Sequence, residues 1–125
     1  MRPSLGRMDD TRDAAVREVD ALLQEANHLR TTLRETERLY RQALRGLERG
    51  ASVNETIHAV GADSARGELT EATKSFERQR HRTRVALIAA QLAEGETIGA
   101  VGRSWGFSRQ LASVYASEAR DTFGV

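Results

Sequence analysis

The chain has 125 residues, no cysteine and a single proline, Pro3. The first absence excludes disulfides and thiolate metal sites and agrees with a reducing compartment. The second means that nothing beyond the N-terminus forces a helix to break. Aromatic residues make up only 5 % and hydrophobic residues 39 %, against 30 % charged. That is lean for a compact globule and suits helices with narrow apolar seams. No run of 18 apolar residues occurs, and Met1–Gly6 lacks the apolar core of a signal peptide. The expectation is a cytoplasmic, nucleoid-associated protein without membrane contact.

Recognisable catalytic patterns are lacking too. His28, His58 and His81 fall in three separate stretches, none paired with a carboxylate three or four residues on in a recognisable metal pattern. Gly95, Gly99 and Gly102 precede no Lys-Ser/Thr pair, and the serines have no evident base. The expectation is a protein that is not an enzyme, with no catalytic residue, no metal and no cofactor.

The net charge is +1, but its layout is uneven. Between Lys74 and Arg109 stand seven basic and three acidic residues, leaving twelve basic and fifteen acidic elsewhere. Positive charge gathered in one region is how a protein that docks onto phosphates is arranged; an arginine-rich solvated helix face would look the same.

Residues 1–10 read as a flexible lead-in, with Asp9, Asp10 and Thr11 as helix caps. From Thr11 to about Arg49 apolar or small residues alternate at spacings of three and four: Ala15, Val19, Leu22, Ala26, Leu29, Leu33, Thr36, Tyr40, Ala43, Leu47. This is a coiled-coil pattern spanning roughly 55–60 Å. Its partner is either a second copy or the later long helix of the same chain; a homodimer through residues 11–49 is favoured, held by Val19, Leu22, Leu29, Leu33 and Tyr40.

A repeat follows. LERGASVNETIHAVGADS at 47–64 echoes LAEGETIGAVGRSWGFSR at 92–109 at a constant offset of 45, pairing Leu47 with Leu92, Gly50 with Gly95 and Gly61 with Gly106. The pattern predicts two helical corners sharing one long helix over about 64–93, whose middle, 74–84, is the densest basic run. Ser52 and Glu55 form a capping-box pair in the first copy. Gly67, Glu68 and Glu71 make the helix after that corner a poor match for phosphate.

The second copy differs. Ile98, Val101 and Trp105 share one helical face, Gly106 supplies the turn, Phe107 plugs it and Ser108 caps the next helix. Leu111, Ala112 and Tyr115 are expected to point inward, with Arg109, Gln110, Ser113 and Ser117 outward. With Val101, Gly102, Trp105-Gly106-Phe107, Ala112 and Tyr115 at these spacings, the stretch resembles the helix-turn-helix of bacterial and phage transcription regulators and of resolvase-type (homeodomain-like) DNA-binding domains.

The resemblance covers about 35 residues and implies sequence-selective binding of duplex DNA by a dimeric regulator, with the helix starting at Ser108 in the major groove. Arg109, Gln110, Ser113 and Ser117 would meet base edges. Arg103, Arg78, Arg80, Arg82, Arg84 and Ser108 would meet phosphates. The expected architecture is all-α and elongated: a lead-in at 1–10, a dimerisation helix at 11–49, a degenerate corner at 50–73, and a basic helix with the DNA-binding corner at 74–125. A regulatory protein partner, a coiled-coil adaptor or a nucleoid-type architectural binder remain as alternatives.

Overall fold

A computed structural model describes residues 5–125, and among these the chain is all-helical, without a strand. Five helices follow in order: α1 (Leu5–Glu48), α2 (Val53–Ala59), α3 (Ala62–Ala93), α4 (Ile98–Trp105) and α5 (Arg109–Phe123). Of the expected lead-in, residues 1–4 lie outside the described residues, and 5–10 already belong to α1. Asp9, Asp10 and Thr11 are therefore interior positions rather than caps. Thr11 is buried, and its hydroxyl donates back to the Met8 carbonyl at 3.1 Å.

The chain forms two compact units that do not follow the linear boundaries near residues 49 and 73. One joins α1 up to Leu22 with Gln79–Val125; the other is Leu23–Arg78. In both, α1 lies against α3 of its own chain, running the opposite way. Arg12 meets Glu94 and Glu18 meets Thr83 in the first unit, and Glu25 meets Ser75 in the second. The intramolecular partner considered for α1 is thus present. Val19, Leu22 and Leu29 are half-buried, whereas Leu33 and Tyr40 stay exposed.

The unit built from the chain's two ends holds a well-defined core. Val85, Ile88, Ala89, Val101, Tyr115 and Ala119 are buried together, with Leu92, Trp105, Phe107 and Phe123 packed against them. Ile88 and Val101 are fully enclosed, each contributing on the order of 1.5–3 kcal/mol by burial. Beyond Thr83 the buried positions of α3 spread around the helix to Val85, Ala86, Ile88, Ala89 and Ala93. A single apolar stripe no longer suffices there, because α1, α4 and α5 all belong to this unit.

Polar groups fix the register of α1 on α3. The Thr83 hydroxyl donates to the Glu18 carbonyl at 2.9 Å, and the Gln79 amide donates to the Glu18 carboxylate at 2.6 Å. These bonds cross elements, so sliding one helix along the other would leave half-buried polar groups unpaired.

The Leu23–Arg78 unit is thinly cored. Ala72, Thr56 and Gly46 are its buried residues. The line of α1 that turns inward is Thr32, Thr36, Leu39, Ala43 and Gly46. The heptad positions Leu33, Tyr40 and Leu47 have rotated out of it. A straight helix drifts about 20° per heptad against a seven-residue repeat, which moves such a stripe off the packed face.

The two corners repeat atom for atom at the offset of 45. Gly50 N–H donates to the Leu47 carbonyl and Ala51 N–H to that of Gly46; Gly95 N–H donates to Leu92 and Glu96 N–H to Gln91, all at 3.0 Å. Gly50 and Gly95 take φ of 90° and 96°, a region that favours glycine. Ser52 and Thr97 then cap α2 and α4, accepting from the backbone N–H of Glu55 and Ala100. The copies part after the short helix. Gly61 leads directly into α3, while Gly106 is followed by Phe107 and the cap Ser108.

Candidate nucleic-acid interface

The α4–α5 corner is held by small residues at the crossing. A Cβ on Gly102 would lie 3.2 Å from the Ala112 Cβ and 3.5 Å from the Phe107 carbonyl oxygen, so the helices approach as closely as glycine allows. Gly106 closes α4 in the left-handed conformation, with φ 69°, and the Phe107 N–H donates to the Gly102 carbonyl at 2.9 Å. Ser108 caps α5 by accepting from the Leu111 N–H at 3.1 Å. This occupies its oxygen as an acceptor.

On α5 the inward residues are Ala112, Tyr115, Ala116 and Ala119. Leu111, expected to point inward, is 40 % exposed. The reason is its place on the helix: at about 100° per residue Leu111 falls at the rim of the face defined by Ala112, Tyr115, Ala116 and Ala119. The outward face carries Arg109, Gln110, Ser113, Ser117, Arg120 and Asp121, as expected for the first four. It also carries Val114, 64 % exposed, which the sequence reading did not assign. Its spacing of four from Gln110 was the available signal.

Arg109 stands at one edge of this face. Together with Ile98, Gly99, Gly102, Arg103 and Phe107 it borders an open groove of about 360 Å³ between α4 and α5. Arg103 reaches back along α4, its guanidinium 3.4 Å from where a Cβ on Gly99 would stand. Both arginines are exposed.

The basic run of α3 does not act as one surface. Arg84 turns inward: it is half-buried and donates to the Tyr115 hydroxyl at 2.9 Å. Its guanidinium carbon lies 5.9, 5.7 and 5.7 Å from the ring centres of Trp105, Phe107 and Tyr115. Those rings form a stack, Phe107 lying nearly parallel to Trp105 and to Tyr115. The expectation that Arg84 meets phosphate is corrected, because an arginine spent on this stack has little left to offer outside. Arg82 is largely exposed and lies 3.4 Å from Glu18. Arg80 is exposed as well, whereas Arg78 belongs to the other unit, near Glu25, His28 and Glu71.

Two further contacts bind α3 to the corner. His81 Nε2 is 2.7 Å from a Glu118 carboxylate oxygen, and the Trp105 indole N–H donates to the Gln91 side-chain oxygen at 2.9 Å. The first link spans 37 residues in sequence, beyond any helical spacing rule. Among the described residues no group of three or more His, Cys, Asp or Glu is placed to hold a metal ion. No helix described is long and apolar enough to cross a membrane.

No family model, curated protein or solved structure matches this chain.

Proposed function

We propose that this chain is a sequence-selective duplex-DNA-binding protein of the helix-turn-helix kind, acting as a homodimeric transcription regulator with α5 in the major groove. The observation that carries the reading is the make-up of α5. Its inner face is sealed by alanines and Tyr115, and its outer face presents Gln110, Ser113, Val114 and Ser117 in a row. Short polar and apolar side chains on an exposed helix let the helix sink to the depth of base edges. The one carboxylate near the middle of α5, Glu118, is engaged by His81.

The roles follow from chemistry. Gln110 offers the paired donor and acceptor that fit adenine, and Arg109 the fork that fits guanine. Val114 supplies an apolar contact for a thymine methyl, with Ser113 and Ser117 further along the face. Arg103, Arg80 and Arg82 are the phosphate ligands, with Ser108 at the helix start. Arg84 supports the corner from within. A two-fold protein would match a pseudo-palindromic site.

The test is fluorescence anisotropy of the full chain on random and selected duplexes across a salt series. The expected result is an affinity whose logarithm falls linearly with log salt. On a selected site Arg109→Ala weakens binding by ~1–3 kcal/mol, while Arg82→Ala gives a smaller loss that is the same on every sequence. Absence of binding at low salt overturns the reading.

A further inference from the structure

We infer that the exposed apolar flank of α1 in the Leu23–Arg78 unit, continued by Val53 and Ile57 of α2, is where a second copy of this chain docks, with a two-fold axis at Tyr40. The inference rests on the homodimer half of the function proposed above and is independent of DNA binding.

The unit cannot account for its own apolar residues. Leu33, Tyr40, Leu44, Leu47, Val53 and Ile57 are 44, 69, 57, 44, 63 and 48 % exposed. Four of the six border or line an open groove of about 460 Å³ with Leu39, Ala43 and Leu69 at its floor. Together the six side chains leave on the order of 600 Å² facing water, at the upper end of what a monomer exposes and near the ~800 Å² that one partner gives a standard interface. Meanwhile the unit buries only Ala72 fully among its apolar side chains, which is little for a folded segment of this size.

The spacing selects the occupant. About Tyr40, Leu33 and Leu47 stand seven residues to either side. A pattern that reads the same in both directions is what an isologous contact between antiparallel helices requires. Tyr40 then faces its own counterpart, and Leu33 faces Leu47 of the second copy. An unrelated protein would not call for a palindromic arrangement of this kind.

Absence of native cysteine makes the test direct. The full chain is examined by sedimentation equilibrium, with Tyr40→Glu and with Tyr40→Cys treated with a short bis-maleimide cross-linker. The expected mass is twice that of one chain. Tyr40→Glu raises the dimer dissociation constant at least about tenfold while the helical circular dichroism is unchanged, since Tyr40 is mostly in solvent. Tyr40→Cys cross-links to a covalent dimer, and Arg17→Cys, on an exposed part of α1 well away from the axis, does not. A protein of single-chain mass at all concentrations overturns both the homodimer and this surface. A dimer that ignores Tyr40→Glu and does not cross-link at position 40 overturns the surface alone. Salt-dependent DNA binding is decided separately by the anisotropy series.

Discussion

Removing the Arg84 side chain tests whether the basic run of α3 serves the outside or the inside. In Arg84→Ala the Tyr115 hydroxyl loses its 2.9 Å donor, and the three-ring stack loses a cation within 6 Å of each ring centre. A hydrogen bond to a charged group is worth about 1.5–3 kcal/mol, and the ring contacts, near their distance limit, add roughly 0.5–1 kcal/mol more. Partial exposure of the guanidinium trims the sum, so about 2–3 kcal/mol is expected, or a midpoint lower by ~10 °C. Trp105, the sole tryptophan, sits in this stack, so its fluorescence in a urea titration reports on the right unit. A cycle with Tyr115→Phe should give a coupling of about 1–2 kcal/mol, and Arg84→Lys should recover part of the loss, since an ammonium keeps the charge but not the flat fork. If Arg84→Ala unfolds within about 0.5 kcal/mol of the parent yet flattens the salt dependence of DNA binding, Arg84 is a phosphate ligand and the reasoning is wrong.

Other substitutions probe other parts of the same unit. Gly102→Val drives two methyl groups into the space already taken by Ala112 and should cost about 1–3 kcal/mol, read as a lower urea midpoint; an unchanged midpoint would mean that α4 and α5 are not in close contact. Ile88→Ala, at a fully enclosed position, should cost about 2–5 kcal/mol by the same titration. Gly106→Ala forces a Cβ into the left-handed region and should cost roughly 1–2 kcal/mol, against no loss at the non-strained Gly67. The pH dependence of Glu35 has a definite sign. Its hydrogen bonds from Arg38, one of them 3.0 Å, hold its carboxyl below the ordinary value. The link is therefore in place above the ordinary carboxylate range and is lost as pH falls through the lowered value. Both side chains lie in solvent, where such pairs are screened, so Glu35→Gln should leave the neutral-pH midpoint where it was.

Features fixed by short-range chemistry were legible before the structure. Thr97 and Ser108 are caps because their hydroxyls reach the N–H three residues on, and Gly106 closes α4 because only glycine takes that φ freely. The twin turns at Gly50 and Gly95 were visible as a repeat, since the same hydrogen-bond pattern calls for a glycine at the same place. What escaped depends on partners distant in sequence. Arg84 looks like Arg80 and Arg82 until Tyr115 is brought beside it. Leu111 looks like a core residue because size suggests burial; the face of α5 that meets α4 is instead set by Ala112, Tyr115, Ala116 and Ala119, and Leu111 falls at its rim. The α1 stripe was found but misplaced, as a heptad reading carries Leu33 and Tyr40 inward while the helix's own period turns them out.

The joining of the chain's first and last segments in one unit has a consequence for biosynthesis. Arg12 meets Glu94 across 82 residues, and Glu18 meets Thr83 across 65. At about 5–20 residues per second, the start of α1 leaves the ribosome several seconds before the segment that covers it. During that interval Ala14, Ala15 and Val19 have no partner of their own, while Leu23–Arg78 can already assemble. A chain cut short just after Arg78 would thus have a middle able to fold and a beginning left bare, the state that chaperones and proteases recognise first.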